Sequence, residues 1–292
     1  MSQTVLITGT STGFGKLIAQ TEAAKGHQVI ATMRGTEGKN KDQAEELENF
    51  GKDAAGSIEV FELDVASDDS VSTALKAISD KYDEIDVLVN NAGVGGGGIT
   101  EGFSVEQFEH IMNVNVTGVH RVVKGILPMM RKKGQGLIIN ISSIMGRIVI
   151  PFATAYTTSK YALEGYSESL RYELKGLGID VSVVEPGGFG TNFLGNMLPP
   201  ADTGVVDSYG SYAEIPGKMW GGFSESLAAE DAPSPQLIAD AVDDLINSKP
   251  GTRPTRVVVD PMNGGEGPTA INNMTDEIQK ALLSSFGMAD SL

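Results

Sequence analysis

The stretch Thr4-Val5-Leu6-Ile7-Thr8-Gly9-Thr10-Ser11-Thr12-Gly13-Phe14-Gly15 decides the fold of this 292-residue chain. An apolar run too short for a helix opens into three glycines spaced Gly-x-x-x-Gly-x-Gly. Helical periodicity then runs from Gly15 to Lys25 and is closed by Gly26. Strand, tight turn and helix N-terminus in that order make an anion site. Glycines without Cβ let the backbone approach a phosphate, and the helix N-terminus favours its charge. Ser11 and Thr12 add hydroxyl donors to the same phosphate. The spacing is not the commoner Gly-x-Gly-x-x-Gly dinucleotide fingerprint, so its weight comes from its place at the head of a chain of repeated βα units.

Beyond this stretch the same alternation recurs. Extended runs are predicted at Gln28–Met33, Ser57–Leu63, Asp86–Asn90, Gly136–Ser142, Asp180–Glu185 and Arg256–Asp260. Between them lie helical patterns at Asp42–Phe50, Asp68–Lys81, Ser104–Lys133 (one piece or two), Ala155–Lys175, Pro235–Asn247 and Met274–Phe286. Repeated βα units predict an α/β, Rossmann-type doubly wound parallel sheet of about seven strands, with helices on both faces in three layers. The expectation is a single domain over 1–292. Residues 187–235 break the pattern: they are rich in Gly, Pro, Met and aromatics, and only short helices such as Tyr212–Leu227 are expected there. A connection this long inside a compact domain is functional or mobile.

Composition narrows the function. The chain is 40% hydrophobic and 21% charged, with a formal net charge of −16. That charge opposes nucleic acid and anionic membrane as partners. No apolar run approaches a membrane span, and with an extended run already at Thr4–Thr8 no signal peptide is expected. The absence of cysteine removes disulfides and thiolate metal sites and fits a cytoplasmic protein. His27, His110 and His120 form no metal-ligand pattern, so each reads as structural or surface and no metal is expected.

Two side-chain patterns carry chemistry. The second strand ends Ala31-Thr32-Met33-Arg34, where an NAD-selective site would place an acid for the ribose 2′-hydroxyl. Arg34 would pair instead with a 2′-phosphate, which favours NADP(H) over NAD(H). Tyr156 and Lys160 stand four residues apart, on one helix face. A phenol with a pKa of ~10 is a poor proton carrier at neutral pH, and a nearby cation lowers that value. Alone, Tyr-x-x-x-Lys arises by chance in many helices. Here it comes after an apolar strand ending Ser142-Ser143, and it accompanies Asn90-Asn91-Ala92-Gly93 and Asn115.

With these motifs in this order the chain resembles the short-chain dehydrogenase/reductase superfamily, by motif over its first two-thirds and by layout over the rest. Thr8 through Gly15 matches the family's Thr-Gly-x-x-x-Gly-x-Gly, and Asn90–Gly93 its Asn-Asn-Ala-Gly. The resemblance implies a catalytic set of Asn115, Ser143, Tyr156 and Lys160. It implies cofactor contacts from Gly9, Ser11, Thr12, Gly13, Phe14, Gly15, Arg34, Asp64, Val65, Asn91, Ala92, Gly93, Tyr156 and Lys160. Pro186, Gly187, Phe189 and Thr191 would then meet the nicotinamide carboxamide. In the implied reduction, Ser143 fixes the substrate carbonyl and Tyr156 delivers the proton. Lys160 binds the nicotinamide ribose and depresses the phenol pKa; Asn115 holds a helix irregularity and a water leading to Lys160. Ser142 is the less favoured of the two serines on its spacing to Tyr156. A dimer or tetramer is the family's usual state.

The segment 187–235 is expected to act as a substrate lid. It bears Phe189, Phe193, Met197, Trp220 and Phe223, with no positive charge from Thr191 to Pro216, which suits a neutral, mostly apolar ketone or secondary alcohol. Val94, Ser143, Ile144, Met145 and Tyr156 are the candidate pocket walls. The run Gly95–Gly98 reads equally as a mobile connection or as an open wall beside the nicotinamide. Two other readings stand beside this one: an NAD(H)-dependent secondary alcohol dehydrogenase, and a dinucleotide sensor without catalysis. Loss of the tyrosine or the lysine would mark the sensor, and both residues are present.

Overall fold

The computed structural model describes residues 2–288. Its strands are β1 (Thr4–Thr8), β2 (Gln28–Met33), β3 (Ser57–Glu62), β4 (Val87–Asn90), β5 (Gly136–Ile141), β6 (Ile179–Pro186) and β7 (Arg256–Val259). They form one sheet in the order β3-β2-β1-β4-β5-β6-β7, and each neighbouring pair is parallel. The strand order reverses between β1 and β4, so the strands' carboxyl ends open a crevice there, the usual ligand position in such sheets.

The helices are α1 (Gly13–Ala24), α2 (Lys41–Asp53), α3 (Asp68–Ser79), α4 (Val105–Met112), α5 (Gly118–Lys133), α6 (Thr154–Leu174), α7 (Thr203–Ser208), α8 (Glu214–Leu227), α9 (Gln236–Asn247) and α10 (Glu266–Ser285). Alternation along the strands sorts them into two layers. Val5 and Ile7 of β1 face Ile18 and Ala19 of α1, Leu47 of α2 and Val242 of α9. Leu6 points the other way, into a core with Ile78 of α3, Val122 and Ile126 of α5, and Leu163 of α6. A parallel sheet covered on both faces needs strands apolar on both sides, and β4 through β6 are buried along their length.

The structure corrects the expected elements in detail. The pattern from Ser104 to Lys133 is neither one regular helix nor two separate ones. A wide π turn, Asn113–Thr117, joins α4 to α5 without a break. The closing helix begins at Glu266 rather than Met274; Gly267 and Pro268 obscured its start, although proline in a first turn costs no intrahelical hydrogen bond. Its apolar stripe, whose pattern allows either closing the core or a subunit contact, is only partly buried. Leu283 is buried, whereas Met274, Ile278, Leu282 and Phe286 stand exposed. The segment after Pro186 also holds more helix than expected, including α7.

Candidate active site

At the crevice the glycine turn is built for close approach. Gly9 has φ +73°, and a Cβ there would lie 2.7 Å from Ala92 Cα. A Cβ on Gly15 would fall 2.3 Å from Gly9 O and 2.4 Å from Asn91 Nδ2. The Asn-Asn-Ala-Gly motif is what braces this turn. Asn91 Nδ2 donates to Thr8 O and Gly9 O at 2.9 Å each, and the amides of Asn91 and Ala92 both donate to Thr8 Oγ1 at 3.1 Å. The spacing of the motifs gives no hint of this mutual support. The turn leads into α1, where the Thr12 side chain makes no capping bond and no acid stands in the first turn. The N-terminal dipole is thereby left open to an anion.

A cleft of about 460 Å³ lies beside that terminus, lined by Gly13, Lys16, Leu17, Gln20, Glu46, Gly190, Thr191, Asn192 and Pro235. It continues into a second space of about 340 Å³ past Leu194, Ser224 and Leu227. Thr191 lies beside the glycine turn, its Cβ 3.7 Å from where a Cβ on Gly13 would stand, and Phe14 packs edge-on against Phe189 at 5.6 Å. Gly187 has no space for a side chain, because a Cβ would meet Asp260 Oδ1 at 2.0 Å. No motif singles out Lys16; its ammonium pairs with Glu46 at 2.7 Å on the rim of the cleft. At the carboxyl end of β2, Arg34 Nη1 stands 3.9 Å from Asp64 Oδ2, with both side chains partly exposed. Val65, the next residue, is buried.

Asn115, Ser143, Tyr156 and Lys160, which lie on separate stretches or turns of sequence, converge at the ends of β4 and β5. Asn115 sits in the π turn and is buried; its Oδ1 accepts from Val94 N, and its Nδ2 donates to Val94 O and Ser159 Oγ, each at 2.9 Å. It thus ties the helix irregularity to the strand-end loop. Lys160 Nζ donates to Ile141 O at 2.8 Å and lies 5.6 Å from the Tyr156 ring centroid. Ser143 Oγ accepts from Met145 N at 3.1 Å, which fixes the hydroxyl beside the phenol. Ser142 is buried with its hydroxyl unpartnered among the described residues and does not share this arrangement.

The electrostatics differ from expectation. Burial pushes the Tyr156 phenol up to about 12, and a hydrogen bond from Ser143 pulls only partly against it. Burial likewise brings the Lys160 ammonium down to about 8, opposed by the Glu164 carboxylate. Desolvation therefore outweighs any lowering of the phenol by the lysine in this structure. Tyr156 stands here as a firmly protonated phenol.

The glycine run is not an open wall, and its backbone is paired. Leu198 N donates to Gly95 O at 3.0 Å, Gly97 N to Leu198 O at 3.1 Å, and Gly98 N to Phe152 O at 2.8 Å. The segment after Phe189 is bound along it like an added strand, with Gly96 bridged to Leu198. The space left by absent side chains is filled by that segment: a Cβ on Gly95 would meet Phe193 Cζ at 2.7 Å, and one on Gly97 would meet Met197 Cε at 2.5 Å. Phe193 and Trp220 close over Ile144, Met145 and Tyr156 in a small apolar cluster of their own.

Comparison with known proteins gives the family. The family model described as short chain dehydrogenase matches residues 3–201. The chain belongs to the short-chain dehydrogenase/reductase family. It is 41% identical over 207 residues to a 3-ketodihydrosphingosine reductase of Bacteroides thetaiotaomicron, covering 71% of each chain. It is 37% identical over 266 residues to retinol dehydrogenase 8 of Homo sapiens, covering 86% of this chain and 79% of that one. Among solved structures it resembles an actinorhodin polyketide ketoreductase with NADPH, at a TM-score of 0.73 and 29% identity over 91% of this chain and 97% of the other. As a member of the short-chain dehydrogenase/reductase family the chain is an NAD(P)-dependent oxidoreductase acting on CH–OH groups of small molecules. Among the described residues no helix is long and apolar enough to cross a membrane.

Proposed function

We propose that this protein is an NADP(H)-dependent reductase of neutral, mostly apolar ketones, working reversibly on the matching secondary alcohols. The observation that carries the reading is the meeting of Ser143, Tyr156 and Lys160 at the carboxyl edge of the sheet, under an apolar cover. The crevice fits a dinucleotide. Glycines whose Cβ atoms would clash line the turn, and the uncapped α1 terminus faces the cleft. Gly9 to Gly15, Asn91 to Gly93, Asp64, Val65, Thr191 and Phe189 would hold it, and Arg34 would meet the 2′-phosphate. When bound, the nicotinamide supplies or takes the hydride.

The protein's own part is the proton and the charge. As a carbonyl carbon is reduced, negative charge grows on its oxygen, so donors aimed at that oxygen stabilise the transition state more than the ground state. Ser143 and Tyr156 are such donors. A phenol held near 12 keeps its proton at neutral pH and transfers it once the oxygen has become the stronger base. Lys160, one helical turn on, offers an ammonium to the ribose and to the phenolate left behind, and Asn115 holds the turn that positions them. Val94, Ile144 and Met145 form the apolar wall, and the segment 187–235 acts as the lid.

By name, the 3-ketodihydrosphingosine reductase supports an apolar ketone, and the retinol dehydrogenase supports an apolar alcohol, although a primary one. The same proposal places the protein in the cytoplasm, as one domain, assembled as a dimer or tetramer; the exposed stripe on α10 is a face such an assembly would cover. The test monitors loss of reduced-nicotinamide absorbance with a panel of neutral ketones. Tyr156→Phe is expected to lower kcat by about 10²–10⁴-fold with cofactor binding intact. Full turnover in that variant would overturn the assignment.

A further inference from the structure

At the carboxyl end of β2 the chain turns through Arg34-Gly35-Thr36, and Gly35 takes φ +67°. A left-handed residue at this point lets successive amide N–H groups converge on one spot, a concave arrangement that binds anions. The turn is braced from outside, since Asn40 Nδ2 donates to Arg34 O at 2.6 Å.

That spot is already taken by the chain's own carboxylate. Glu62, the last residue of β3, accepts from Gly35 N at 2.8 Å through Oε1, and from Thr36 N at 2.7 Å and Thr36 Oγ1 at 2.9 Å through Oε2. Two amides and a hydroxyl thus grip both oxygens of one carboxylate. The guanidinium of Arg34, the residue assigned to the 2′-phosphate, also acts on Glu62 electrostatically. Partial burial disfavours the charged carboxylate, but the amide and hydroxyl bonds of Thr36 and Gly35 hold it below the usual range.

We propose that Glu62 is a cofactor-specificity residue. Its carboxylate occupies the donors at Gly35 and Thr36 that a ribose 2′-phosphate would otherwise use beside Arg34, so NADP(H) competes with it and NAD(H) does not. The inference rests on the reading of Arg34 as the phosphate partner. A phosphate and a carboxylate accept the same amide hydrogens, and two anions cannot share one set of donors without strong repulsion. Arg34 draws the phosphate in while Glu62 pushes it back. The preference for NADP(H) is therefore narrower than Arg34 alone would give, and NAD(H) stays usable.

Equilibrium titration of the purified full chain with NADPH and with NADH tests this without any substrate. In Glu62→Gln and Glu62→Ala the NADPH Kd is expected to fall by about ten-fold, with the NADH Kd within about two-fold of wild type. No gain for NADPH, or an equal gain for both, overturns the proposal. So does a loss of NADH affinity, which would mean that Glu62 accepts from ribose hydroxyls. Thermal unfolding checks that each variant is folded. Glu62→Asp, too short to span both amides, is expected to shift NADPH binding the same way should the neutral variants fail to fold. Arg34→Ala separates the two readings. If it leaves the NADPH-to-NADH ratio unchanged, the phosphate assignment itself fails. If it abolishes the preference while the Glu62 variants behave as wild type, only the role of Glu62 fails.

Discussion

The Phe193 ring lies 5.2 Å from the Tyr156 ring, centroid to centroid, at an interplanar angle of 55°. An apolar side chain of the segment after β6 thus fills the space against the phenol where, on the proposed function, a substrate would sit. Phe193 reaches it because Gly95 and Gly97 have no side chains to hold Met197 and its neighbours away. An alanine at Gly95 is expected to displace Phe193 and Met197, and one at Gly97 to displace Met197 and Trp220. Overpacking of this kind costs about 1–3 kcal/mol. Trp220 is the only tryptophan in the chain, so its emission reports on the segment directly. Gly97→Ala should shift that emission to the red and change KM for bulky ketones more than for acetone-sized ones. Unchanged emission and unchanged selectivity would show that the glycine strip does not seat the segment.

Arg34 carries the cofactor assignment. A charge-assisted bond to a phosphate contributes about 1.5–3 kcal/mol. Arg34→Ala is accordingly expected to weaken NADPH binding by roughly ten- to a hundred-fold and to leave NADH nearly unchanged. Fluorescence titration of the reduced cofactors measures both.

Lys160 is buried, and among the described residues its ammonium has one protein acceptor, Ile141 O. Its pKa is about 8 in the folded protein against 10.5 ordinarily. Between those values the unfolded chain binds the extra proton, so this group's contribution to stability rises with pH from about 8 to 10.5 and is unfavourable below. Lys160→Met should therefore raise Tm at pH 7, by roughly 1–3 kcal/mol of stability, while catalysis is lost. A drop in Tm at pH 7 would contradict this picture of a charge kept at a cost for function.

Far from the crevice, Glu22, His27 and Asp243 are buried together where α1 meets α9, and both Glu22 oxygens lack a hydrogen-bond partner among the described residues. The three have the composition of a metal site, yet His27 Nδ1 accepts from Gln3 N at 3.1 Å. The neutral ring then carries its proton on Nε2, 3.7 Å from Glu22 Oε2, where a metal would need a lone pair. The site holds a proton instead. Burial, and after it the Asp243 charge, push Glu22 up to about 8. The folded state keeps a proton that the unfolded chain releases above about 4.5, so stability falls as pH rises from there to about 8. Glu22→Gln is expected to flatten that fall and to be the more stable form at pH 8, by about 1–3 kcal/mol. Thermal melts from pH 5 to 9 check it, and added zinc is expected to leave Tm unmoved.

Much of this was legible in the sequence because it is local. Strand, glycine turn and helix emerge from periodicity and from the absence of Cβ at fixed positions, and the order of βα units sets a parallel sheet. Tyr156 and Lys160 share a face through helix spacing alone. What no window of sequence contains is contact between distant stretches. That Asn91 braces Thr8 and Gly9, that Glu62 fills the turn after Arg34, and that the glycine run binds Leu198 all depend on loops brought together at one sheet edge. The protonation of Tyr156 and Lys160 was likewise decided by tertiary structure. Spacing places an ammonium near a phenol, but burial sets how much either charge costs, and burial is a property of the whole packed domain.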